Sequence, residues 1–127
     1  MFRSHTENNL GSRRILVVED EYFIAEDMVL ALQSAGLEVV GPAPNPELAL
    51  SLLAAERVDA AILDLNLQGL SVYPVARVLR SRGIPFVFAS GFDHSSIPSE
   101  FQDVPHWEKP FDIHCFVQAL PKLLSPL

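Results

Sequence analysis

Residues 60–69 read Ala60-Ala61-Ile62-Leu63-Asp64-Leu65-Asn66-Leu67-Gln68-Gly69. An apolar run climbs through Leu63 and stops at a carboxylate. A buried carboxylate without a partner costs several kcal/mol or takes up a proton. Asp64 therefore either caps a turn into solvent or sits where other groups make its charge useful. The segments on either side decide between these.

Upstream, Arg14-Ile15-Leu16-Val17-Val18 is a short β-branched run that predicts a buried strand. It ends abruptly at Glu19-Asp20-Glu21. Ile24, Met28, Ala31 and Ala35 then recur at helical spacing, and Gly36 stops that helix. Leu37–Val40 predicts a second strand, and Gly41-Pro42-Ala43-Pro44 a loop. Asn45 caps the next helix, with Pro46 at its first position and Leu48, Leu52 and Ala55 as its apolar stripe.

Asp59–Leu63 is the third strand. Ser71 caps a third helix whose Val72, Val75, Ala76 and Leu79 face the core, and Gly83 closes it. Ile84–Ala89 is a fourth strand. Pro98, Pro105 and the polar Asp93-His94-Ser95-Ser96 leave room in 91–105 for a short helix at best. His106-Trp107-Glu108 is a fifth strand, with Trp107 on the opposite face from His106. Asp112 caps a last helix that uses Ile113, Phe116, Val117 and Leu120, and Pro121 should end or kink it. Strands alternating with helices imply an α/β fold: a doubly wound, five-stranded parallel sheet with helices on both faces.

The chain has 127 residues, 49% hydrophobic and 20% charged, which suits one domain over residues 13–124 behind a disordered tail at 1–12. A net charge of −7 with no basic run argues against nucleic acid as a partner. No apolar run reaches membrane-spanning length and the first residues lack a secretory core, so no membrane partner and a cytoplasmic place are expected. Cys115, the single cysteine, lies in an apolar periodic stretch and is expected to be buried and inert.

Each of four strands ends in polar residues: Glu19-Asp20, Asp64, Ser90-Gly91 and Lys109-Pro110. In a parallel sheet these ends share one edge, where ligands of open α/β sheets bind. Glu19, Asp20 and Asp64 would then form an acidic cluster that needs a cation. Oxygen-only ligands favour Mg²⁺ over zinc. Lys109 supplies a fixed positive charge and Ser90 a hydroxyl. Such a set suits an aspartyl phosphate on Asp64.

With these residues in order, the sequence resembles the receiver domains of two-component response regulators over Arg14–Leu124, which implies the flavodoxin-like strand order 2-1-3-4-5, here with the fourth helix short or disordered. The carriers are VVEDE at 17–21, ILDLNL at 62–67, FASG at 88–91 and KPF at 109–111. The resemblance implies Asp64 as phosphoacceptor and Glu19 and Asp20 as the acid pair for Mg²⁺, with Asp20 favoured as direct ligand. It implies a metal-facing backbone carbonyl at Asn66, a phosphoryl-seeking Ser90, a phosphoryl-contacting Lys109 and a cis peptide at Lys109-Pro110. Phe88-Ala89-Ser90-Gly91-Phe92 and the short Asn66-Leu67-Gln68-Gly69 loop further resemble the single-domain subgroup named after its FATGUY motif. Common receivers carry an aromatic switch residue where this sequence has His106, which is read equally as a switch or as a packed or surface histidine.

The implied function is a stand-alone phosphoreceiver rather than an ordinary enzyme. Its phosphoryl donor is a histidine kinase or histidine phosphotransfer protein, an unknown downstream protein reads its state, and a homodimer is open. A metal-dependent phosphohydrolase with an Asp nucleophile is the alternative, but Asn66 stands where such enzymes of the haloacid dehalogenase group carry a second Asp. A flavodoxin-like FMN protein would need a phosphate-cradling loop where Glu19-Asp20-Glu21 stands.

Overall fold

The run at 14–18 pairs on both sides, because nearly every side chain in it is apolar and neither face needs water. The computed structural model describes residues 13–90, 97–109 and 112–123. Its strands are β1 (Arg14–Val18), β2 (Glu38–Ala43), β3 (Ala60–Asp64), β4 (Phe86–Ser90) and β5 (His106–Glu108). They form one five-stranded sheet in the order β2-β1-β3-β4-β5. Every pairing is parallel. The helices are α1 (Tyr22–Ser34), α2 (Pro46–Ala55), α3 (Tyr73–Ser81) and α4 (Ile113–Leu123).

Alternate strand residues feed two cores. Leu16, Val18, Ala61, Leu63, Phe86 and Phe88 pack with α2, α3 and Phe101 on one face. Ile15, Val17, Ile62 and Val87 pack with α1 and α4 on the other. Full burial of one such Val, Leu or Phe is worth about 1.5–3 kcal/mol. The strands can therefore carry polar residues at their ends while their middles hold the fold.

Cap chemistry matches the sequence at two helices. Asn45 Oδ1 accepts the Leu48 N–H at 2.8 Å, and Asp112 Oδ1 accepts those of His114 and Cys115 at 2.9 and 3.3 Å. At α3 the boundary residue is Val72 rather than Ser71, although Ser71 Oγ still accepts the Tyr73 N–H at 3.2 Å. The expected α3 and α4 stripes are buried, with Ile113 half-buried.

Other expectations are corrected. The helix-2 stripe is Ala49 and Leu53, whereas Leu48 is exposed, because a helix of almost unbroken apolar residues has no period to read. In α1 the buried residues are Ala25, Met28, Ala31 and Leu32, and Ala35 is exposed beyond its end. Helix α4 runs through Pro121 to Leu123, since a proline in the last turn forfeits only one hydrogen bond. Cys115 is exposed, one position off the apolar stripe of α4. Among the described residues of 91–105, the 3₁₀ turn Ser99–Phe101 stands where a short helix was expected. Residues 1–12, 91–96 and Pro110 lie outside the described residues, and with them the tail, the Gly91-Phe92 end of the motif and the Lys109-Pro110 peptide.

The predicted loop Gly41–Ala43 continues β2 instead. As an edge strand, β2 tolerates a proline that cannot donate. An irregularity in register follows Leu16↔Val40 and brings Ala43 opposite Val18. The Gly41–Pro42 peptide is cis, and Gly41 has φ +101°. The Ala43 carbonyl then accepts the Glu19 N–H at 3.0 Å. The tail of β2 thereby fixes where the acidic turn after β1 begins.

Candidate phosphoacceptor site

β1 and β3 are neighbours, so their carboxyl ends deliver Glu19-Asp20 and Asp64 to the same place. Glu19, Asp20 and Asp64 each offer an oxygen within 4.8 Å of the others. Glu19 and Asp64 are buried, with 3% and 1% of their surface exposed. Two short turns aim them. Glu19 Oε2 accepts the Glu21 N–H at 3.1 Å, and Asp64 Oδ1 accepts the Asn66 N–H at 2.9 Å. Asp64 is the last residue of β3, not the residue after it.

Lys109 closes the cluster from the end of β5. Its Nζ lies 3.0 Å from Glu19 Oε1, 3.4 Å from Asp64 Oδ1 and 3.6 Å from Glu21 Oε1. Its backbone N–H donates to the Ser90 carbonyl at 2.7 Å, which ties the ends of β4 and β5 together. Ser90 is buried at the end of β4. Glu19, Asp20, Asp64, Ser90 and Lys109, at the ends of β1, β3, β4 and β5, thus reach one edge.

One ammonium against three carboxylates leaves an excess of negative charge. Burial pushes the Asp64 carboxyl up from its ordinary 3.8 to about 7. The Asn66 N–H and Lys109 work against that shift, while Glu19 adds to it. Burial pulls the Lys109 ammonium down, but its hydrogen bond to Glu19 and the charges of Asp64, Glu19 and Glu21 carry it above its ordinary value. Asp20 Oδ1 and Asp64 Oδ2 are buried and, among the described residues, have no hydrogen-bond partner. Two lone acceptors in one acidic cluster fit a hard divalent cation.

The cluster opens into a cavity of about 720 Å³ whose walls include Asp20, Asn66, Gln68, Leu70, Tyr73 and Lys109. Glu21, Gln68, Leu70 and Tyr73 were missed as site residues in the sequence. Gln68 has φ +54°, which shapes the loop after Asp64 in a way its residue type does not announce. Glu21 could have been found from its place directly after the acidic pair.

His106, half-buried, lies beside Phe88 at the start of β5, three residues before Lys109 and two strands from Asp64. Trp107 turns to the opposite face, as expected, and meets the Phe116 ring edge to face at 5.1 Å between centroids.

A family model described as response regulator receiver domain matches residues 15–119. The chain belongs to that family. This receiver is 30% identical over 113 residues to the Sensory transduction protein LytT of Bacillus cereus, covering 86% of this chain and 46% of LytT. The chain spans about half the length of the curated relatives it matches. Among solved structures, SdrG from Sphingomonas melonis Fr1 is 40% identical with a TM-score of 0.77, covering 90% of this receiver and 98% of SdrG. The Thermotoga maritima response regulator TrrA, in complex with Mg²⁺-BeF, is 29% identical with a TM-score of 0.74, covering 88% of this receiver and 99% of TrrA. Among the described residues of this receiver, no helix is long and apolar enough to cross a membrane.

Proposed function

We propose that Asp64 accepts a phosphoryl group from a phosphohistidine on a histidine kinase or histidine phosphotransfer protein, in the cytoplasm. The observation that carries this is the pair of unpartnered buried oxygens, Asp20 Oδ1 and Asp64 Oδ2, beside the Lys109 ammonium. An Asp64 oxygen attacks phosphorus, the phosphorus–nitrogen bond breaks, and the departing imidazole keeps the electron pair and takes a proton. Lys109 then faces a phosphoryl oxygen instead of the free carboxylate. The buried Ser90 hydroxyl, at the neighbouring strand end, donates to another.

Mg²⁺ supplies charge neutralisation for the equatorial phosphoryl oxygens when bound. Asp20, Asp64 and the Asn66 backbone carbonyl would hold it directly. Both Glu19 oxygens are already engaged, one by Lys109 and one by the Glu21 N–H, so Glu19 acts through position and charge.

The modified site alters protein–protein contacts with a downstream partner, and the protein is not a turnover enzyme. The FASG and Asn66–Gly69 segments support the finer assignment to the FATGUY subgroup. Intact-mass measurement after mixing the protein with Mg²⁺ and acetyl phosphate tests the central claim. A stoichiometric phosphoryl adduct absent from Asp64→Asn is expected. Continuous phosphate release without an adduct would instead favour the phosphohydrolase alternative.

A further inference from the structure

Tyr73 belongs to two environments at once. It lines the cavity bordered by Asp20, Asn66 and Lys109, and its ring stacks on Phe101, 5.5 Å between centroids and 16° between planes. It also meets Phe88 edge to face at 6.0 Å. Phe101 is fully buried and touches Phe86 and Phe88 as well, at 6.2 and 5.8 Å. Phe86, Phe88 and Ser90 alternate along β4, so the Ser90 side chain lies in the same row as the rings that pack on Tyr73 and Phe101.

The far side of this cluster is clamped to α3. Arg77 bonds both Glu100 carboxylate oxygens, at 3.3 and 2.8 Å. Arg80 donates to the Glu100 carbonyl at 2.6 Å and to Asp103 at 3.2 Å. Both guanidinium groups lie over the Phe101 ring, at 5.8 and 5.4 Å from its centroid. The turn at 99–103 therefore follows α3, and the first residue of α3 is Tyr73. A close-packed aromatic cluster does not deform by degrees; displacement at one ring is passed to the next.

We propose that Tyr73 is a positioning residue that couples occupancy of the cavity beside Asp20 and Lys109 to residues 99–104 through its stack on Phe101. This rests on the phosphoacceptor reading of Asp64. A group seated on Asp64 reaches toward Lys109, at the wall of the cavity that Tyr73 also lines, and draws on Ser90, at the head of the Phe86–Phe88 row. Both displacements converge on Phe101. The signal leaves the sheet at the Ser99–Val104 turn, not through the 106 position.

NMR spectra of the full chain, with and without Mg²⁺ and beryllofluoride, test the coupling. On saturation, the Asn66 amide, the Tyr73 and Phe101 ring signals and the amides of 99–104 are expected to shift together. In Tyr73→Leu the shift at 99–104, relative to that of Asn66, should fall several-fold, and Tyr73→Phe should restore it. A moving Asn66 amide with unmoved Tyr73 and Phe101 rings in the native protein overturns the proposal, whatever the variants do. So does an undiminished response at 99–104 in Tyr73→Leu. An Asn66 amide that does not move in the native protein sinks the phosphoacceptor reading, and this coupling with it.

Discussion

Asp64 is held in a place that disfavours its own charge. Its folded-state pKa of about 7 stands above the ordinary 3.8. Between those values the folded chain keeps a proton that the unfolded chain has released, so stability falls as pH rises through that window. Asp64→Asn removes the titration. With chelator present, this variant should match the native protein near pH 4 and exceed it by about 2 kcal/mol at pH 8. Urea unfolding at both pH values measures the difference, and equal stability at pH 8 would show the carboxylate is not strained. Mg²⁺ must displace the same proton, so its affinity should climb up to about pH 7 and then level. Lys109 gives the opposite case. Its raised pKa means its contribution is present at neutral pH and lost only above its ordinary 10.5. Lys109→Met leaves Glu19 and Asp64 facing each other without an ammonium. A loss of about 3 kcal/mol is expected at pH 8. Much of it should return at pH 5, where Asp64 takes up a proton, and a loss independent of pH would contradict this electrostatic account.

Elements that deliver these side chains depend on two kinds of glycine. At Gly41 a Cβ would lie 2.8 Å from the Ala43 nitrogen and 3.0 Å from the Val17 carbonyl, on a backbone with φ +101°. At Gly69 φ is +85° but nothing lies within 4 Å. Gly41→Ala should therefore cost about 3 kcal/mol or more, and Gly69→Ala only about 1 kcal/mol. Denaturant midpoints compare them, and equal costs would mean that crowding at the β2 bulge contributes nothing. Gly41 also marks where reading from sequence stops working. Gly-Pro-Ala-Pro reads as a loop because proline normally breaks a ladder, yet an edge strand has one side to spare. The five strands and the convergence of Asp20, Asp64 and Lys109 were legible, since apolar runs ending in charge can be read residue by residue, whereas the strand order came from the resemblance to receivers. The Leu48–Ala55 stripe was not, because uniform hydrophobicity has no phase. Tyr73 escaped notice because its neighbours Phe88 and Phe101 come from distant segments that meet only in the fold.

Across the whole molecule, one sheet separates two cores that share every strand middle. Neither face can lose its packing without exposing the back of the other, so a single cooperative transition is expected. The sole tryptophan, Trp107, reports the α1/α4 face through its contact with Phe116. Far-UV circular dichroism also sees α2 and α3 on the opposite face. Urea midpoints from the two signals should agree within about 0.2 M. Mg²⁺ offers the sharper version of the test, because the Glu19-Asp20-Asp64 cluster sits at strand ends rather than in either core. A cation that binds only the folded chain stabilises it by about 2.7 kcal/mol at a hundred times its dissociation constant. If the sheet is one cooperative unit, Mg²⁺ should move both midpoints equally at pH 8 and move neither in Asp64→Asn by a comparable amount. A shift confined to the tryptophan signal would mean that the two faces unfold separately, and that the metal steadies only the half of the molecule that holds Trp107.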